Sequence, residues 1–126
     1  MSDKSERIAR VEAELAIRNV IARYGLAADC GDIETALACH TQDAIYIVSD
    51  PNAGRGKAGK DLELQGHQAI SDMLSSEMHQ SLLRQGCAHT VGPLVVEADG
   101  KTAHVLGYSR VYNTSDGQPN LMRLAF

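Results

Sequence analysis

The chain has 126 residues, of which 44% are hydrophobic and 22% are charged, and its net charge is -4. This length and composition are typical of one globular domain, so we expect residues 1–126 to form a single domain. The acidic balance, the scattered lysines and arginines, and the lack of a long apolar run argue against nucleic acid or a membrane as a partner.

The cysteines and the N-terminal residues bear on location. Cys30, Cys39 and Cys87 are odd in number and form no C-x-x-C pair, which argues against a disulfide framework or a zinc ribbon. We expect them to be buried thiols in a reducing compartment. The polar start of the chain lacks the apolar stretch of a signal peptide, so we expect a cytoplasmic location.

The first third of the chain has the pattern of two helices. Apolar residues at spacings of three and four predict an amphipathic helix over residues 8–28, and a change of face near Ile17 suggests a bend or a broken register. Gly31 is suited to end this helix, and Asp32 is suited to cap a second helix at residues 33–40.

The rest of the chain is mainly β in character. Residues 44–48 predict a strand, residues 49–60 a loop, and residues 62–65 a second short strand. A helix over about residues 67–85 follows and ends at Gly86. Three strands of a meander complete the chain at residues 88–98, 102–113 and 120–126. Segregated helices and antiparallel strands predict the α+β class.

Three residues are candidates for chemistry. Asp29 lies at the end of the first helix, where the helix dipole disfavours a carboxylate, so an inward role that orients a histidine would explain it. His89 begins a predicted strand and shares a face with Val91, and imidazole is well suited to move protons near pH 7. Tyr24 belongs to the apolar stripe of the first helix. The structural alternatives stay open: Asp29 as a solvated turn residue, and His89 and Tyr24 as packed residues.

Other motifs do not point to a metal or a nucleotide. The remaining histidines lack the spacing of a metal site, and H-E-x-x-H is absent. They are His40, His67, His79 and His104. The glycine-rich residues 53–60 depart from a phosphate-binding loop because Asp61 follows Lys60, so we expect a surface loop or a mobile pocket lid. We predict no metal and no cofactor.

Two stretches carry a family resemblance: IRNVIARYGLAADCGDIETALACHTQDAIYIV and CAHTVGPLVVEADGKTAHVLGYSRVY. They resemble the SnoaL-like branch of the nuclear-transport-factor-2-like superfamily, which includes polyketide cyclases, scytalone dehydratase, ketosteroid isomerase and bile acid 7α-dehydratase. The resemblance covers about Ile8 to Phe126. It implies a cone-shaped α+β barrel, in which a curved mixed or antiparallel sheet and three to four helices enclose a pocket.

The resemblance also implies roles for the candidate residues. It is greatest to the dehydratase-like members, whose helix-end aspartate matches Asp29, whose strand-start histidine matches His89 and whose pocket tyrosine matches Tyr24. This chain departs from those relatives at residues 109–112, which include no carboxylate and no histidine. In the same region the bile acid dehydratase has a further acid, and scytalone dehydratase has a second histidine. Related proteins usually continue through another strand, so either the cone lacks this strand or the chain is shortened.

These observations lead to two hypotheses. The first is a cofactor-independent lyase or isomerase, similar to a dehydratase or cyclase, that uses Asp29, His89 and Tyr24 on a small apolar carbonyl or hydroxyl compound. The second is a non-catalytic binding or dimerisation module. Under both we expect a homodimer, since many members of the superfamily pair through the sheet. The expected substrate-binding residues are mostly apolar: Ala28, Tyr46, Val48, Met73, Leu74, Val91, Leu106 and Tyr108.

Overall fold

The order of helices and strands follows the sequence pattern closely. The computed structural model describes residues 3–48, 61–115 and 118–125, with side chains described for 3–48 and 61–114. The elements are α1 (Asp3–Cys30), α2 (Ile33–Ala38), β1 (Ile45–Val48), β2 (Leu62–Gln65), α3 (Gly66–Ser75), α4 (Glu77–Gln85), β3 (Cys87–Ala98), β4 (Ala103–Ser115) and β5 (Gln118–Ala125). The α+β class is therefore confirmed. The glycine-rich residues 53–60 lie outside the described residues.

The strands form two antiparallel sheets. One pairs β1 with β2, and the other has the order β3-β4-β5. Within the described ranges these sheets do not close into a barrel. The helix α1 packs on one face of the three-stranded sheet.

The helix α1 has 28 residues and continues without interruption through Ile17, where the sequence suggested a bend or broken register. It begins five residues earlier than its apolar stripe, and Asp3 and Glu6 in its first turn interact favourably with the helix dipole. Its end agrees with the sequence: Gly31 has a φ of 74°, and the Asp32 side chain accepts a hydrogen bond from the Thr35 amide. No helix in the described parts of the chain has the length and apolarity to cross a bilayer.

The predicted single helix over residues 67–85 is wrong, because the structure has two helices that meet at Ser76. Ser76 has extended backbone angles (φ -64°, ψ 151°). Its hydroxyl donates to the Met73 carbonyl over 2.7 Å and accepts from the His79 amide over 3.2 Å. A serine hydroxyl that bonds to nearby backbone groups competes with helix hydrogen bonds, and here it ends α3 and caps α4.

The core lies where α1, α2 and α3 meet. Ile70 and Leu74 of α3 are 0% and 1% exposed, and they pack against three buried alanines. These are Ala27, Ala28 and Ala36. Because alanine side chains are small, the three helices approach closely, and the end of α1 is held at a fixed position beside the sheet.

The register of β3 and β4 decides which residues share a face. His89 lies opposite Val111 and Val91 opposite Ser109, whereas an irregularity between Val91 and Leu94 inserts one extra residue into β3. Directly opposed residues lie on the same face of a sheet. The inner face, defined as the face that carries His89, therefore includes Ser109 and Val111. Leu106 and Tyr108 alternate with these residues and lie on the opposite, outer face.

The helix α1 packs on the inner face. A Cβ atom placed on Gly25 would lie 3.5 Å from the His89 carbonyl oxygen, so the helix backbone lies directly against β3 at this point. Two turns earlier in the helix, the Arg18 guanidinium donates to the Leu94 carbonyl over 3.2 Å. These contacts align the last turn of α1 with the start of β3.

Candidate functional site

The central feature of the site is a contact between Asp29 and His89, which are 60 residues apart in sequence. Asp29 Oδ1 lies 2.5 Å from His89 Nδ1, and Asp29 Oδ2 accepts a hydrogen bond from the His89 backbone amide over 2.8 Å. Each carboxylate oxygen thus has a separate partner on the same residue. The contact offsets the unfavourable position of the acid at a helix C-terminus.

This arrangement fixes the chemical form of the imidazole. An ionised carboxylate only accepts hydrogen bonds, so the Nδ1 atom of His89 carries the proton that it donates to Asp29. The other ring nitrogen, Nε2, is then the basic one. The backbone contact also restricts rotation of Asp29, which keeps the imidazole in one orientation.

The pair is half-buried rather than sealed. The side chains of His89 and Asp29 are 24% and 16% exposed. Val91, which follows His89 on the inner face, is 41% exposed. A small molecule can therefore approach the imidazole, while the partial burial strengthens its electrostatic interaction with Asp29 relative to water.

An aromatic cluster lies at the same end of α1. The rings of Tyr24 and His40 are edge to face at 4.9 Å between centroids, and the Tyr46 ring lies 6.3 Å from each. Burial raises the pKa of Tyr24, and the neighbouring Tyr46 hydroxyl, Cys39 and Asp29 raise it further. Tyr24 therefore keeps its proton across the physiological pH range and acts as a hydrogen-bond donor.

Two residues at the site were not singled out from the sequence. The Cys87 Sγ atom lies 3.9 Å from His89 Nδ1, and burial together with the charge of Asp29 raises the pKa of this thiol to about 11. His79 has a buried Nδ1 atom without a hydrogen-bond partner among the described residues. Burial lowers the pKa of His79, and so does the nearby His89. The signal for Cys87 was its position two residues before His89, which places both on one face of a strand. The expectation of three buried thiols is wrong, because Cys30 is exposed and Cys39 and Cys87 are half-buried.

The expected substrate-binding residues fall into three places. Tyr46 belongs to the aromatic cluster, and Val91 shares the inner face with His89. Ala28, Met73 and Leu74 belong to the core or pack against it, and Val48 is half-buried at the end of β1. Leu106 and Tyr108 lie on the outer face and are 58% and 41% exposed. Their contact with a ligand stays a prediction.

Comparison with known proteins identifies the family. The model of the SnoaL-like domain family matches residues 9–126. The chain belongs to the SnoaL-like domain family. The resemblance read from the two sequence stretches is thereby confirmed, and it extends over almost the whole chain. Comparison with the curated proteins finds no match.

Solved structures agree with this assignment. An NTF2-like protein with a cystatin-like fold from Novosphingobium aromaticivorans is 31% identical, covers 97% of this chain and 73% of its own, and has a TM-score of 0.83. The β subunit of an aromatic-ring-hydroxylating-dioxygenase-like protein from the same organism is 17% identical, with coverages of 93% and 74% and a TM-score of 0.64. A scytalone-dehydratase-like protein, also from that organism, is 16% identical, with coverages of 90% and 82% and a TM-score of 0.54. At these lower identities the likeness shows the fold alone.

Proposed function

We propose that this SnoaL-like domain is a cofactor-independent lyase or isomerase that acts by acid-base chemistry on a small apolar compound bearing a carbonyl or hydroxyl group. The observation that supports it most directly is the double contact of Asp29 with His89, through the ring Nδ1 at 2.5 Å and the backbone amide at 2.8 Å. A histidine held in one tautomer beside a carboxylate is a suitable general base.

In the proposed reaction His89 Nε2 removes a proton from the carbon next to a carbonyl group. The C–H electrons form a carbon–carbon double bond, and the π electrons of the carbonyl group move to its oxygen, which gives an enolate. Asp29 stabilises the imidazolium that results, because its negative charge lies next to the protonated ring. Tyr24, whose raised pKa keeps the phenol protonated, donates a hydrogen bond to the enolate oxygen.

The second half-reaction distinguishes a lyase from an isomerase. In a dehydration, the carbonyl group re-forms, the double-bond electrons of the enolate form a new double bond to the neighbouring carbon, and the bond from that carbon to its hydroxyl group breaks. The imidazolium gives its proton to this hydroxyl group, which leaves as water. In an isomerisation, the imidazolium returns the proton to another carbon. The same residues serve both reactions, so the nature of the substrate decides between them.

The test uses a panel of small apolar β-hydroxy ketones as probes. Two readouts apply: loss of water followed by mass spectrometry, and exchange of the proton next to the carbonyl followed by NMR in deuterated water. Acid-base assistance by a positioned side chain is typically worth about 10² to 10⁴ in rate, so His89→Ala should lower turnover by that factor. His104→Ala is the matched control, because His104 is exposed and pairs with Glu97 on the outer face. An unchanged rate in His89→Ala would refute the mechanism.

The alternative is a non-catalytic module of the same fold that binds a small molecule or forms a dimer. What supports it is the fold shared with the β subunit of a dioxygenase-like protein. The two functions differ in one result. A module binds members of the panel, or a partner, with no turnover and no proton exchange in the unaltered protein.

A further inference from the structure

Cys87 lies beside Asp29 and His89 but has no role in the proposed acid-base reaction. Cys87 and His89 are separated by one residue on β3, so both side chains project from the inner face. Asp29 reaches the same point from the end of α1. One oxygen, one sulfur and one nitrogen atom from these three residues all lie within 4.8 Å of one another.

We propose that Asp29, Cys87 and His89 form a binding site for a thiophilic divalent cation of the zinc class. Carboxylate, thiolate and imidazole are the three ligand types that zinc takes in proteins. Three protein ligands leave a fourth, open position for water in tetrahedral geometry.

The spacing of the ligand atoms is close to what such a cation requires. With metal–ligand distances of about 2.0 to 2.3 Å, neighbouring ligand atoms in a tetrahedral site are separated by about 3.4 to 3.6 Å. The Cys87 Sγ to His89 Nδ1 distance is 3.9 Å, so these two atoms need to approach only slightly. The Asp29 Oδ1 to His89 Nδ1 distance is 2.5 Å, so this hydrogen bond opens by somewhat less than 1 Å as the metal replaces its proton.

The charges of the ligands also suit a divalent cation. One carboxylate and one thiolate balance its two positive charges, and a coordinating thiol is deprotonated by the metal. Binding releases one proton, from Sγ, while the imidazole proton moves from Nδ1 to Nε2. No electron is transferred in this step.

The site is accessible and distinct from the other cysteines. The side chains of His89 and Asp29 are 24% and 16% exposed, which leaves a path for a hydrated ion. Cys39 instead donates its thiol to the Thr35 carbonyl within α2, and it provides a matched control. Because the metal would take the Nδ1 atom that holds the Asp29 hydrogen bond, it would also inhibit the acid-base reaction. That last consequence rests on the proposed function, whereas metal binding itself does not.

The experiment is a titration of the intact, metal-free protein with Co²⁺, followed by competition with Zn²⁺. We expect the visible bands of tetrahedral Co²⁺ and a near-ultraviolet charge-transfer band that requires a thiolate ligand. Cys87→Ser should abolish the charge-transfer band and weaken Zn²⁺ binding by more than about tenfold, since even the loss of an indirect partner typically costs 10- to 100-fold. Cys39→Ser should leave both unchanged.

A second variant guards against loss of structure. His89→Gln should weaken binding to a similar extent while its circular dichroism spectrum stays that of the unaltered protein. Absence of the charge-transfer band in the unaltered protein, or equal Zn²⁺ affinity in Cys87→Ser, would overturn the proposal. Activity on the β-hydroxy ketones is measured on the metal-free protein. Zn²⁺ binding by a protein whose metal-free form has no activity would support the metal site and count against the enzyme, so the two proposals fail separately.

Discussion

Gly25 offers a direct test of how closely α1 approaches β3. It is a buried glycine in the last third of a 28-residue helix. Glycine costs about 0.8 to 1 kcal/mol relative to alanine inside a helix. A Cβ atom at this position would lie 3.5 Å from the His89 carbonyl oxygen and 3.6 Å from the His89 Cβ atom, which is ordinary van der Waals contact. We therefore expect Gly25→Ala to fit without displacing the helix.

The expected effect of Gly25→Ala is a gain of about 1 kcal/mol in the free energy of unfolding, because the helix-propensity term is not offset by a clash. For a chain of this length that corresponds to a rise of roughly 4 °C in Tm. Gly25→Val instead places two further methyl groups against β3, and overpacking of this kind typically costs about 1 to 3 kcal/mol. It should also move the end of α1 and lengthen the contact between Asp29 and His89.

Urea unfolding and thermal scans by circular dichroism measure both variants. Ala22→Gly, at an exposed position of the same helix, measures the propensity term alone and should cost about 1 kcal/mol. The downfield NMR signal of the His89 Nδ1 proton reports the hydrogen bond to Asp29, and it should persist in Gly25→Ala and be lost in Gly25→Val. Destabilisation of Gly25→Ala by more than about 1 kcal/mol, or equal stability of the two variants, would refute the packing described for this contact.

Two further predictions concern His79 and the outer face of the sheet. Burial holds the pKa of His79 below its usual 6.5, so the unfolded chain binds the proton more readily, and stability present above about pH 6.5 is lost as the pH falls. The urea concentration at the unfolding midpoint should decrease as the pH is lowered below 6.5. His79→Gln should weaken this pH dependence, and an equal slope in that variant would exclude His79 as its cause. The expected homodimer would bury the opposed, exposed side chains Val95 and Leu106, so Leu106→Asp should yield monomers. Light scattering that finds the unaltered protein monomeric at micromolar concentration would contradict it.

The sequence alone determined the order of the elements and their class. Apolar periodicity located α1, strand composition and turn residues located the strands, and Asp32 marked the start of α2, because each of these signals depends on residues within a few positions. The division at Ser76 was missed, since the apolar spacing continues across it. Only the hydroxyl contacts with Met73 and His79 reveal where α3 ends and α4 begins.

The candidate site could be defined only from the sequence and the tertiary structure together. The sequence singled out Asp29 through its position at a helix end and His89 through its residue type, yet it left solvated or packed roles open. The tertiary structure decided that they touch, because Gly25 lets the last turns of α1 lie against β3 at His89, 60 residues away in sequence from Asp29. It also added Cys87, because only the folded chain brings the Asp29 carboxylate within 4.8 Å of the Cys87 and His89 ligand atoms.

The two faces of the sheet show most clearly what the sequence determines and what only the tertiary structure decides. Alternation along β4 says that Leu106 and Tyr108 share a face, but not which face. That depends on the register with β3, where one extra residue between Val91 and Leu94 exchanges inward and outward positions. Local sequence therefore determined which residues of a strand share a face. Pairing with the neighbouring strand determined whether that face is the inner or the outer one, because only the neighbouring strand fixes the register.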